Sequence, residues 1–340
     1  MATPPPLPVR NGVGPTRLRI PADTSGTIID YLRARFPHLP GEALQQRLID
    51  GEIVGHDGTP ITALTSVSDH EWIWYYRSVP NETRIPFDMT ILHVDEHLVV
   101  ADKPHFLPTT PGGQFLQETA LVRLRNQLKM PDLVPLHRLD RATAGVLLFS
   151  PNPETRGAYQ QLFEYRQVTR QYRAVIRIPA PAELYLKRFP LTFRNRIIKT
   201  KGVITAEVES YATPDSGRIE APRVGKRRRS HDPTTGPNAI TDIELLGYAL
   251  TDDGGALAHV ALFPHTGRTH QLRIHLAALG HGILHDRFYP ELLDHAPDDY
   301  TTPLQLLASG LAFTDPLTGR RREFRSALTL DFSSVMPRTP

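Results

Sequence analysis

HRLDRATAGVLLFS, residues 137–150, sets one carboxylate, Asp140, between Arg138 and Arg141 and then runs into a short apolar stretch, Val146–Ser150. Short runs rich in β-branched or aromatic residues and bounded by turn signals read as strands. Runs of the same kind recur at Leu98–Ala101, Tyr172–Ile178, Ile240–Leu246 and His259–Phe263. Helical spacing interrupts them at Leu121, Leu124 and Leu128, and again around Leu162 and Phe163 after Pro153. Residues 81–336 therefore read as an α+β domain. No fixed-period repeat and no GxxxxGK[ST] is present, and the glycines of DDGGA (252–256) do not form a dinucleotide fingerprint.

Toward the N-terminus the pattern changes. Residues 1–19 are rich in Pro and Gly without apolar periodicity, so a flexible tail is expected. Ile28, Leu32 and Phe36 then recur at helical spacing, as do Leu44 and Leu48 up to the helix stop Gly51. Glu52–Val54 and Trp72–Tyr76 read as strands separated by the turn-like HDGTP, which makes residues 20–80 a small ααβ module. In LQQRLIDGEIVGHDG (44–58) it resembles the small RNA-binding module, named after a ribosomal protein, that precedes many RNA-modifying domains. Its second helix offers mainly Arg47 where such modules carry several cations, so a plain packing module reads equally well.

Composition limits the chemistry. With 340 residues, 40% of them hydrophobic and 22% charged, the chain can bury a sizeable core and stay soluble. Cysteine is absent, which removes disulfide frameworks, thiolate nucleophiles and the usual zinc knuckles. Proline replaces the apolar core of a signal peptide in MATPPPLPVRNGVGP, and no uninterrupted apolar segment reaches about 18 residues. A cytoplasmic protein without membrane contact is expected. The net charge of +3 is modest, so the placement of the cations matters more than their sum.

Four segments carry candidate chemistry: DKPHF (102–106), HRLDRATAGVLLFS, RQYRAV (170–175) and HTGRTHQLRIH (265–275). Each also has an ordinary structural reading. Asp140 could cap a turn, Tyr172 could pack in a strand and the histidines could be satisfied structural groups. Against this stands the clustering of a carboxylate with two arginines, since a partly desolvated carboxylate near cations suits nucleophilic chemistry at a sugar centre. The cation run PRVGKRRRS puts Arg223, Lys226, Arg227, Arg228 and Arg229 within seven residues. Such a run is either a solvated loop or a contact to RNA phosphates. Arg194, Arg196, Lys199 and Lys201 form a second, weaker stripe.

In their order along the chain these segments resemble the RluA-like pseudouridine synthases: a Lys-Pro motif at Lys103 and Pro104, HRLDRATAG, Arg170 and Tyr172, then GRTHQLRIHL and GHGILHDRFY. The resemblance implies a pseudouridine-synthase fold with a mixed, mainly antiparallel sheet and flanking helices. It also implies a cofactor-free isomerase, expected as a monomer, that acts on structured RNA, ribosomal or transfer. Carried over, it makes Asp140 the catalytic aspartate and Tyr172 the catalytic tyrosine beside the uracil, a candidate base for the later proton removal. Arg268 becomes the basic partner of Asp140, and Arg138 the group that fills the stack when the uridine swings out. Leu272 falls beside the base; Arg141 and the run Lys226–Arg229 are expected, from their charge, to contact the RNA. Departures are Arg170 for Lys, His105–Phe106 for Ala-Gly, and Leu307 and Asp315 for His. Two other readings are a non-catalytic RNA-binding protein on this scaffold and a metal-dependent hydrolase built on His265, His270, His275, His281 and His285. The latter lacks HExxH, and Gly282 interrupts its last pair.

Overall fold

A computed structural model describes residues 5–37, 39–79, 82–200, 203, 205–211, 236–293 and 299–331. The chain forms two compact units, Met1–Arg84 with Thr110–Pro131 and Ile85–Thr109 with Asp132–Pro340.

The first unit contains β1 (Thr16–Arg19), α1 (Ile28–Arg35), α2 (Gly41–Ile49), β2 (Ile53–Gly55), β3 (Trp72–Tyr75) and α3 (Ala120–Leu128). Thr27 starts α1 by accepting the Asp30 amide on its hydroxyl, at 3.3 Å. The spacing seen in the sequence is the buried face: Ile28, Leu32, Leu44 and Leu48 close on Ile53 and Ile73. The sheet order is β1-β3-β2, all antiparallel. Strand β1 lies within the stretch expected to be a tail. It has no apolar period to read because alternate residues face outward as Arg17 and Arg19, and the Arg17 guanidinium lies 4.2 Å from the Trp72 ring centre.

The second unit is built on an eleven-stranded sheet. Its strands are β4 (Thr90–Val94), β5 (Val99–Lys103), β6 (Val134–Pro135), β7 (Ala144–Ser150), β8 (Thr169–Ile178), β9 (Leu191–Ile198), β10 (Glu207–Tyr211), β11 (Ala239–Leu250), β12 (Ala256–Pro264), β13 (Leu306–Thr314) and β14 (Arg321–Arg325). Three helices accompany it: α4 (Pro153–Glu164), α5 (Glu183–Leu186) and α6 (Gln271–Ala278). The order is β10-β9-β11-β12-β8-β13-β7-β5-β4, with β14 on β13 and β6 on β7. Every pairing is antiparallel except β7 with β13, so the sheet is mixed and mainly antiparallel.

All seven residues of β7 are buried. Its close approach to β13 explains the glycine of HRLDRATAG. Gly145 has φ +115°, and a Cβ there would stand 2.2 Å from the Ala308 carbonyl oxygen. Along β8 the period of two sends Ala174, Ile176 and Ile178 into a core shared with Leu272 and Leu276 of α6. Each fully buried leucine of this kind contributes roughly 1.5–3 kcal/mol. The sequence shows no amphipathic signal for α6, because Gln271 to Leu276 are all buried, polar side chains included.

Candidate active site

Asp140 sits in the loop between β6 and β7, and that loop is pinned along its backbone by side chains from residues 103–109. The Thr109 hydroxyl donates to the Leu139 carbonyl (2.8 Å) and accepts the Leu139 amide (3.1 Å). His105 Nδ1 donates to the Ala142 carbonyl at 2.8 Å. Lys103 is fully buried, and its Nζ donates to the carbonyls of Pro104 (2.9 Å), Leu107 (2.7 Å) and Arg141 (3.3 Å). The Thr143 amide closes a turn on the Asp140 carbonyl at 3.1 Å. Buried backbone groups must find partners; here they find them on both sides of Asp140, which fixes where its carboxylate emerges. Burial pulls the Lys103 amine down to about 7, reinforced by the Arg141 charge and opposed by the Asp140 carboxylate. His137, stacked on Phe163 at 4.8 Å, accepts the Leu148 amide on Nε2 (3.2 Å), and burial holds it at about 3.

One departure from the family pattern has a local explanation. Phe106 stands where a glycine is usual, and it adopts φ +65°. That left-handed conformation is unfavourable for a residue with a side chain. The Phe106 ring is held against Phe87 (6.0 Å) and Tyr300 (5.1 Å).

Strand β8 brings in Arg170 and Tyr172 at alternate positions on one face. Arg170 bonds backbone carbonyls across the cleft wall. Its Nη2 donates to the carbonyls of Pro264 (3.3 Å) and Thr266 (3.0 Å) and braces the loop after β12. Burial pushes the Tyr172 phenol up; the Asp140 charge adds to this and the Arg170 charge opposes it. Tyr172 is thus a neutral phenol at pH 7.

The third wall is the loop 265–270 and the start of α6. Gln271, buried, accepts from the Thr266 hydroxyl (2.8 Å) and the Arg268 amide (3.1 Å), and donates to the Ile240 carbonyl and the Thr241 hydroxyl, both at 3.0 Å. Two residues on, Arg273 makes a buried two-pronged pair with Asp286, at 2.8 and 2.5 Å.

These walls enclose a cleft of about 660 Å³. Asp140, Arg138, Tyr172, Arg268 and Leu272, far apart in sequence, all line it. Among its described lining residues six are Lys or Arg (Arg138, Arg166, Arg170, Lys199, Arg268, Arg273) and Asp140 is the carboxylate, so an anionic ligand is favoured. Arg138 is exposed at the cleft, and the Leu272 side chain is buried against the core.

The structure does not form the expected pair between Arg268 and Asp140. Arg268 is exposed, and its Nε donates to the Asn238 carbonyl at 3.3 Å. The basic group that meets Asp140 is His270, with Nε2 at 3.9 Å from Oδ2. Arg141 is not part of the cleft lining; its guanidinium lies 6.0 Å from the Phe106 ring centre. Lys226, Arg227, Arg228 and Arg229 lie outside the described residues.

The five histidines of the metal reading diverge. His265 bonds Asp242 (2.7 Å), His275 bonds Asn195 (2.9 Å), His285 bonds the Pro303 carbonyl (3.2 Å), and His281 packs on Tyr185. Among the described residues no three groups converge as metal ligands, and no helix is long and apolar enough to cross a membrane.

The profile of the RNA pseudouridylate synthase family matches residues 97–278. The dual-specificity RNA pseudouridine synthase RluA of Escherichia coli K12 is 32% identical over 70% of this chain and 92% of its own length. An uncharacterized RNA pseudouridine synthase of Synechocystis is 30% identical over 77% of this chain and 79% of its own. Among solved structures, human RNA pseudouridylate synthase domain containing 1 has the same fold, with a TM-score of 0.51 at 23% identity over 71% of this chain and 84% of that one. A profile match over more than half of the chain, with relatives aligned along most of their length, means that this chain belongs to the RNA pseudouridine synthases, isomerases that act on RNA.

Proposed function

We propose that this enzyme converts selected uridines of structured ribosomal or transfer RNA to pseudouridine as a cytoplasmic monomer, with Asp140 as the reacting carboxylate. The observation that carries this reading is a single carboxylate, fixed by the backbone of its loop, in a cleft whose other formal charges are cationic. Isomerisation breaks the bond from C1′ to N1 and makes one from C1′ to C5. It needs no redox step and no phosphate donor.

Whether Asp140 attacks C1′, adds at C6 or assists elimination to a glycal, its oxygen must approach the nucleotide from a constant position, which a pinned loop provides. Tyr172 is the neutral ring against the uracil, and Leu272 packs beside the base. A uridine inside a helix must first be extruded, at a cost of a few kcal/mol. Arg138, planar and exposed, stacks into the vacated place and bonds phosphate or base edges.

The test is Asp140→Asn, which keeps shape and removes the nucleophile. We expect a folded protein that binds RNA from a deletion strain and forms no pseudouridine, a loss of more than about 10⁴-fold. Substantial turnover by this variant would overturn the assignment.

A further inference from the structure

The net reaction removes one proton from C5 of uracil and adds one at N1. When the bond from C1′ to N1 breaks, its electron pair stays on the uracil. C5 then uses a ring pair to bond C1′ and briefly carries both the sugar and its hydrogen. A base takes that hydrogen as a proton, the freed pair restores the C5–C6 double bond, and N1 gains a proton. No proton is gained or lost overall, but a base must stand in the cleft.

Taking Asp140 as the group that acts at the sugar, as proposed above, few candidates remain. The six Lys and Arg side chains of the lining are already cationic. Tyr172, a neutral phenol, cannot accept a proton without first losing its own. The Nε2 of His137 is taken by the Leu148 amide. His270 remains.

We propose that His270 Nε2 removes the C5 proton, and that Tyr289 is the positioning residue that fixes the imidazole for this step. The His270 side chain is about 10% exposed and lines the cleft, with Nε2 3.9 Å from Asp140 Oδ2. On its other side Nδ1 lies 2.9 Å from the Tyr289 hydroxyl. That hydroxyl accepts the Ala206 amide at 2.8 Å and donates to the Ala206 carbonyl at 3.2 Å. With its proton directed to Ala206, the Tyr289 oxygen accepts from Nδ1–H, which leaves the lone pair on Nε2, beside Asp140. His270 takes this place at φ +56°, a left-handed conformation that a side chain disfavours and that occurs at sites where geometry is imposed.

The charges around the ring agree with the role. Burial lowers the His270 pKa, so the ring is neutral at pH 7; Arg273 and Lys199 push the same way, while Asp140 and Asp286 oppose. Once Nε2 has accepted a proton, the Asp140 carboxylate stabilises the imidazolium. Returning that proton to N1 or to water restores the enzyme.

Single-turnover rates with RNA from a deletion strain, carrying hydrogen or deuterium at C5 of uridine, test the proposal. His270→Gln is expected to slow pseudouridine formation by about 10²-fold or more, with a primary deuterium effect larger than that of the wild type and no further fall in rate at acid pH. Tyr289→Phe is expected to slow it about tenfold and to move the acid limb to lower pH, a shift that a purely structural role would not produce. A His270→Gln rate within a few-fold of wild type, or a slow rate without a deuterium effect, overturns the proposal. If either variant fails to fold in a melting curve, the wild type decides alone. Its deuterium effect must emerge as the pH is lowered and His270 becomes protonated, and its absence there refutes the role. Asp140→Asn run in parallel separates the two ideas: an inactive Asp140→Asn beside a normal His270→Gln removes only this inference.

Discussion

The two loops that build the cleft are held in opposite ways. The 137–143 loop is clamped at its backbone: Leu139, Arg141 and Ala142 each bond a side chain from residues 103–109, and Asp140 can hardly shift. The 264–271 loop is braced at its edges by Arg170 and Gln271, while the Arg268 side chain is exposed and tied by one 3.3 Å bond to a carbonyl. A carboxylate that must meet one carbon atom gains from a fixed position. A cation that must meet phosphates of a bending RNA gains from freedom.

The clamp can be broken at Lys103. Lys103→Met keeps length and apolar packing but leaves the carbonyls of Pro104, Leu107 and Arg141 without their donor. Each unpaired buried acceptor costs about 1–3 kcal/mol before relaxation, so a loss of roughly 2–4 kcal/mol in denaturant unfolding is expected. Displacement of Asp140 should lower the single-turnover rate by about 10²-fold. The pH dependence gives a second reading. The folded-state pKa of Lys103, about 7, lies below its unfolded value, so the unfolded chain binds the extra proton above pH 7 and wild-type stability gains as pH rises through that window. The deficit of Lys103→Met should therefore grow from pH 7 to pH 9, by roughly 2 kcal/mol. A constant deficit would show that Lys103 keeps its proton throughout.

The same contrast decides what could be read from sequence. The clamped loop was legible through its chain neighbours, because the flanking arginines and the apolar β7 stand beside Asp140, although its clamp from residues 103–109 and the contact of Gly145 with Ala308 are distant in sequence. The helices α1 and α2 of the first unit were legible from apolar spacing, since one face of each is buried, whereas β1 was not. The helix α6 was not, because its polar residues are turned inward and the period vanishes. Partnerships across the cleft were least legible. That His270, instead of Arg268, stands beside Asp140 involves Tyr289 and Ala206, which residue spacing does not connect. The family resemblance made Arg268 the partner of Asp140, whereas in the structure Arg268 lines the cleft and bonds the Asn238 carbonyl.

Tyr172 sharpens the comparison at the junction of the loops, since it stands on rigid β8 and faces both. In the proposed reaction this neutral phenol presents a ring and an O–H donor, and the proton goes to His270. Tyr172→Phe should retain RNA affinity and lose about 10- to 100-fold in single-turnover rate, the value of one buried hydrogen bond near developing charge. Tyr172→Ala should lose more, because the ring contact goes as well. A loss of about 10⁴-fold in the Phe variant would mean that the phenol oxygen handles the proton after all, in competition with His270.

The smallest expected effect lies in the cation run Arg223, Lys226, Arg227, Arg228 and Arg229. If cations on the RNA side work through freedom instead of fixed geometry, replacing these five with glutamine should leave the rate at saturating RNA nearly intact and act on affinity. Each cation that neutralises a phosphate releases a counterion, so log K against log salt should flatten by up to about 0.7–0.9 per lost contact. At physiological ionic strength the affinity should fall several-fold, and at high salt, where counterion release drives little binding, the variant and the wild type should converge. A salt slope identical to wild type would return the run to the reading of a solvated loop. A large fall in the saturating rate would instead mean that these residues set geometry as strictly as the Asp140 loop does, and the contrast between a fixed carboxylate and cations that act on affinity alone would fail.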